Sequence, residues 1–140
     1  MAEYVSVEEW VALVFGYLED LTPSNLMEMD ATAAARALAV PGATVGGVDL
    51  YADVHEKAAS GLIEMLYQRP LADTAQNRQV AALTALFFLS RNGHTWRPAQ
   101  DELPYWIAEA DAGRLSVRTL AQGIVQHCDC GVAANPPDPV

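Results

Sequence analysis

An all-α domain is the fold this sequence predicts, and three observations predict it. The composition is 51% hydrophobic and rich in alanine and leucine, which favours helices over sheets. Apolar residues recur at helical spacing in one segment after another, with capping residues and Pro or Gly punctuation between them. One segment, Val80 to Leu89, is apolar almost without a break, which suits a helix at the centre of a bundle. With 140 residues the chain is long enough for one domain that buries a core without staples. Residues 1–130 are assigned to that domain, and 131–140, with three prolines, to a flexible tail.

The elements follow in order. Ser6 caps a first helix with Glu8 and Glu9 in its first turn, and Trp10, Val11, Val14, Phe15 and Leu18 fall on one face. Thr22-Pro23-Ser24-Asn25 ends it. Asp30 caps a short helix over Ala31 to Ala39, which Pro41-Gly42 stops. Residues 43–51, with Gly46-Gly47 between valines, predict a short hairpin or irregular flap. A helix then runs from about Asp49 through Tyr67, with Ala58, Leu62, Met65 and Leu66 as core. After a polar loop, the helix from about Thr74 to Arg91 is capped by Asp73 at capping-box spacing from Gln76 and closed by Gly93. A further helix over about Asp101 to Ala112 is expected to be interrupted or kinked near Pro104. Gly113 stops it, and Ser116 caps a last helix to about His127.

Charge and cysteine content exclude several function classes. Eighteen acids against eight bases give a net charge of -10, and Lys57 is the single lysine. Phosphate backbones need clustered Lys or Arg, so no nucleic-acid partner is expected, and an acidic surface repels anionic membranes. The opening MAEYVSVEEW lacks a basic region and a long apolar run, so a cytoplasmic protein is expected. Cys128 and Cys130, separated by one residue, have poor geometry for a disulfide. With His127 they lack the second ligand pair of a structural zinc site, so no metal site is expected there.

The stretch from Tyr67 to Gly93, YQRPLADTAQNRQVAALTALFFLSRNG, carries the chemistry. It resembles the Fic/Doc (death-on-curing) family. There a His-Pro-Phe-x-Asp-Gly-Asn-(Gly or Lys)-Arg loop opens a core helix that stops at Arg-Asn-Gly. SVEEWVAL resembles the family's first helix, and Ala108 to Ile124 its closing helix pair, so the likeness spans most of residues 5–127. It implies a compact helical bundle around a buried central helix.

In active members the histidine serves as base or phosphate acceptor and the acid binds magnesium. Helix-terminal amides, asparagine and arginine hold nucleotide phosphates. Here Arg69 stands in the histidine position, Pro70 and Asp73 match the proline and acid, and Asn77 and Arg78 match the asparagine and a basic residue. Thr74-Ala75-Gln76 replaces a single glycine, and two extra residues rotate a helix by about 200° and advance it by about 3 Å. Arginine is no base near neutral pH, so the resemblance implies that AMP or phosphate transfer is lost or altered.

Three readings of function follow. In the first, a Fic/Doc-fold protein of a toxin-antitoxin type binds a nucleotide, anion or protein partner such as an antitoxin. Its pocket is Arg69, Asp73, Asn77 and Arg78, with Val45 to Tyr51 as lid. In the second, the fold serves as a cofactor-independent biosynthetic enzyme. Tyr51, His55, Arg69 and the tryptophans then line an apolar pocket beside the loop. In the third, the chain is a helical module that forms homo-oligomers or binds a partner through apolar surface.

Each candidate has a plainer role. Asp73 can cap a helix rather than bind magnesium, Asn77 and Arg78 can be solvated first-turn residues, and Arg69 can pair with Asp73. His55 can be a relocated acid or base, or a surface histidine among acids. His94 suits capping or packing, and Trp10, Trp96 and Trp106 suit the core or a cleft wall.

Overall fold

The computed structural model describes residues 2–18 and 22–129. The proposed tail over 131–140 and Cys130 lie outside the described residues. The chain is mostly helical, with two small two-stranded sheets.

Helix α1 (Val7–Tyr17) opens on a full capping box, in which the Ser6 hydroxyl accepts from the Glu9 amide and the Glu9 carboxylate accepts from the Ser6 amide. Trp10, Val14 and Leu18 are buried, and the Trp10 indole N–H donates to the Thr84 hydroxyl at 2.9 Å. Phe15 departs from the expected buried face. At 100° around from Val14 it is 48% exposed, since Val14 already occupies the core position. Short α2 (Pro23–Glu28) follows, and then α3 (Ala31–Ala39), capped by the Asp30 carboxylate on the Ala33 amide. A 3-10 turn over Val40–Gly42 leads into strands β1 (Thr44–Val45) and β2 (Val48–Asp49). These form a hairpin, one of the two forms expected of residues 43–51. Its two turn residues, Gly46 and Gly47, have φ of 60° and 82°, and only glycine takes two successive positive φ values at little cost.

Helix α4 (Val54–Gln68) starts five residues later than expected, because Asp53 rather than Asp49 caps it. It packs against α3, α5 and the helices that follow, so it shares the centre of the bundle with α5 (Thr74–Arg91). The consecutive buried run Lys57 to Leu62 contains Ala58, Ala59, Ser60 and Gly61, small side chains that let neighbours approach on every side. A Cβ on Gly61 would lie 3.2 Å from the Pro41 ring. Helix α5 has the opposite character. From Val80 to Leu89 it is apolar almost without a break, yet Leu83, Leu86 and Phe87 stay only partly buried.

Strand β3 (Thr95–Trp96) follows, then α6 (Glu102–Asp111), α7 (Val117–Gln126) and strand β4 (Cys128–Asp129). Helix α6 runs uninterrupted. Pro104 sits in its first turn, where the missing N–H has no intrahelical partner to lose. Antiparallel β3 and β4 pair Trp96 with Cys128, a ladder that no expectation placed there. Between α6 and α7 the Trp106 ring lies on Gly123, whose absent Cβ would stand 1.6 Å from ring carbons. No described helix is long and apolar enough to cross a membrane.

Candidate functional site

The loop that joins α4 to α5 is built by backbone conformation first. Arg69 ends α4 in the left-handed region, with φ 49° and ψ 63°, its amide donating to the Met65 carbonyl. Among the described residues it alone, apart from glycines, has positive φ. That conformation costs an L-residue roughly 1–2 kcal/mol, and glycine usually fills it at a helix end. An arginine there marks a site where a guanidinium is held at a backbone cost.

Behind it, Asn77 is 1% exposed and braces the turn from inside: its carbonyl oxygen accepts from the Leu71 amide, and its amide group donates to the Met65 carbonyl at 3.4 Å. Asn77 is therefore a bracket within the loop rather than a pocket-lining or solvated residue. Asp73 caps α5 through the Gln76 amide at 2.9 Å.

The arginines converge on α6. Arg78 donates to the Asp111 carboxylate at 2.8 Å, while the Arg69 guanidinium lies 3.8 Å from the other Asp111 oxygen and donates to the Thr74 hydroxyl at 3.0 Å. Asp111 thus takes the role expected of Asp73 as the acid beside Arg69, because it ends a helix that packs on α5. Its carboxylate is largely buried and both arginines are half-exposed. Two guanidinium groups thus face one carboxylate at this edge.

Beside the pair runs a groove of about 540 Å³. Leu83, Leu86, Leu103 and Ile107 form its apolar walls, and Arg78 and Gln79 stand at its polar end. The volume falls in the range of about 300–1,000 Å³ typical of small-molecule sites. It exists because α5 is apolar on more faces than its described neighbours cover. A smaller recess of about 180 Å³ lies on another side of the loop, lined by Asp73 and Glu28.

Two expected members stand elsewhere. Tyr51 and His55 flank the start of α4, and Arg69 follows its end; fifteen residues of helix separate these ends by about 20 Å. His55 is neither beside the loop nor on the surface, being only 9% exposed. The hairpin is likewise at the start of α4. Lys57, 3% exposed, donates to the Pro41 carbonyl and the Asp49 carboxylate, both at 3.1 Å, and lies 5.7 Å from the Tyr4 ring centre. Burial works against the Lys57 ammonium, but the Asp49 and Tyr4 oxygens outweigh it and hold its pKa above the ordinary value. Anchored there, the hairpin is no lid for the 69–78 loop.

Around His55 a second cluster gathers that sequence spacing gave no reason to expect. The Asp53 carboxylate lies 3.1 Å from His55 Nδ1, and the His94 ring meets the His55 ring edge-on with centres 5.2 Å apart. Cys128 of β4 completes the group: one side-chain donor atom from each of His55, His94 and Cys128 lies within 4.8 Å of the others. The Arg91-Asn92-Gly93 sequence places His94. Gly93, with φ 84°, donates to the Ser90 carbonyl and His94 to the Leu89 carbonyl, the paired bonds of a Schellman ending. Burial and the neighbouring His55 lower the His94 pKa, with Asp53 partly opposing them. Here a residue expected to serve capping or packing is brought into a cluster of titratable groups.

No protein-family model matches the chain, and no curated protein sequence matches it.

Proposed function

We propose that this chain is a Fic/Doc-like helical protein that binds rather than transfers, holding an acid-bearing apolar small molecule in the groove beside the 69–78 loop. The observation that carries the reading is the juxtaposition of the Arg69–Asp111–Arg78 cluster with the leucine-walled groove. Arg78 spends one of its five N–H donors on Asp111, and an incoming carboxylate or phosphate would take others as charge-assisted bonds. The ligand's apolar part would displace water from Leu83, Leu86 and Ile107, at about 25 cal/mol for each Å² buried.

Proton transfer has little support at this place. The loop's cations are arginines, and His55 is a helix length away. A second reading, a cofactor-independent enzyme acting on a small molecule, is favoured by the same groove, but its pocket would have to do without Tyr51 and His55.

Calorimetric titration separates the outcomes. Medium-chain carboxylates should bind saturably, and Arg78→Ala should weaken them roughly tenfold or more, since a hydrogen bond to a charged group is worth about 1.5–3 kcal/mol. Magnesium nucleotides binding more tightly than every carboxylate would replace this reading with nucleotide binding. Turnover of a bound acid would establish the enzyme reading.

A further inference from the structure

We propose that His55, His94 and Cys128 form a binding site for a transition-metal ion of the zinc class, set at the opposite end of α4 from the arginine loop. Two imidazoles and a thiolate are a donor set suited to such ions, and three protein ligands are enough to hold one tetrahedrally with a further position for water or another group. The three residues come from separate places: the first turn of α4, the second residue after the α5 C-cap Asn92, and strand β4. Their donor atoms already lie within 4.8 Å of one another. A tetrahedral zinc site brings such atoms to roughly 3.5 Å, given bond lengths of about 2.0–2.3 Å, so donor-atom shifts of about an ångström close it.

The supporting shell is also in place. Asp53, 3.1 Å from His55 Nδ1, suits the tautomer in which Nδ1–H donates to the carboxylate and Nε2 faces the metal, the carboxylate–histidine arrangement that orients many metal ligands. His94 Nδ1 is buried and has no hydrogen-bond partner among the described residues, a cost that metal ligation would remove. The β3–β4 ladder holds Cys128 opposite Trp96, two residues beyond His94. His94 also lines a polar cleft of about 370 Å³ with Asp49, Lys57 and Asn92, which gives an ion a route in from solvent. His127, the histidine adjacent to Cys128 in sequence, pairs instead with Glu102 at 3.2 Å and is not part of the site.

Cobalt substitution reads the site directly, using the full chain and cobalt chloride as the probe. The expected result is one cobalt ion per chain, with tetrahedral d–d bands and a thiolate-to-cobalt charge-transfer band. Cys128→Ser should abolish the thiolate band, and His127→Ala should leave the spectrum unchanged. Asp53→Asn keeps a competent helix cap and every metal ligand, yet should weaken cobalt affinity roughly 10- to 100-fold through the lost carboxylate partner. The absence of a thiolate band in the wild-type spectrum overturns the proposal. So does a band that survives Cys128→Ser unchanged. If Cys128→Ser fails to fold, His94→Gln serves in its place, and unaltered d–d bands in that variant overturn the proposal.

Discussion

Asn92 illustrates how a residue that carries a family resemblance can act through structure alone. Its side-chain carbonyl accepts from the Glu3 amide at 2.7 Å, and its amide group donates to the carbonyls of Glu3 and Phe88. The neighbouring Arg91 pairs with Glu9 of α1. Together they tie the start of the chain to the end of α5. Asn92→Ala removes those bonds and should cost about 1–3 kcal/mol, read as a lowered urea midpoint. Gly123 is constrained more severely. An alanine there must displace the Trp106 ring, so Gly123→Ala should destabilise by about 1–3 kcal/mol and shift tryptophan fluorescence toward that of exposed indole.

His94 predicts a pH dependence of stability. Its folded pKa lies below its ordinary value of 6.5, so the folded state favours the neutral ring. The stability this contributes is complete above the unfolded value and is lost as pH falls from about 6.5 through the lowered folded value. Urea midpoints measured against pH should decline in that window, and His94→Gln should flatten the decline. None of these roles was legible in the sequence. Asn92 and Glu3 are 89 residues apart, and nothing in the spacing of Gly123 announces a ring above it.

At the scale of elements, caps and punctuation were the legible features. Ser6, Asp30, Asp73 and Ser116 all cap the helices expected of them. The Gly46-Gly47 segment forms a hairpin, one of the two forms expected of it. Burial was less legible, because hydropathy and burial separate wherever small residues pack closely. Helix α4 is well enclosed through its run of small residues, Ala58 to Gly61. The apolarity of α5 between Val80 and Leu89 exceeds what its described neighbours cover, and the excess is the groove wall.

Arg69 terminates α4 in the left-handed region. Arg69→Gly should relieve the left-handed backbone and raise stability by up to about 1 kcal/mol, after the entropy that glycine adds to the unfolded chain. Under the proposed function, the same change should weaken acid binding. A loss of stability together with unchanged ligand affinity would count against a functional reason for the strained arginine.

For the whole molecule, length, composition and periodicity sufficed for a helical domain, because those signals are local and repeated. The candidate site was legible only in part. Arg69 and Arg78 do meet, but through Asp111, which ends a helix 33 residues beyond Arg78 and had no sequence signal pointing to it. His55 was assigned to the loop by chemistry alone, and the length of α4 carries it to the other end of the bundle. The two ends of α4 therefore propose different chemistry, an arginine-edged apolar groove at one and a nitrogen–sulfur cluster at the other.

The central claim is that the arginine-edged groove binds an acid with an apolar body. The most direct measurement is a titration of isotopically labelled protein with decanoate, following the amide and methyl resonances of α5 and α6 by NMR. Saturable shifts centred on Arg78, Leu83, Leu86 and Ile107 are expected, weakened by Arg78→Ala and abolished by Leu83→Glu. No saturable shift, or the same shifts in Leu83→Glu as in the wild type, would contradict it.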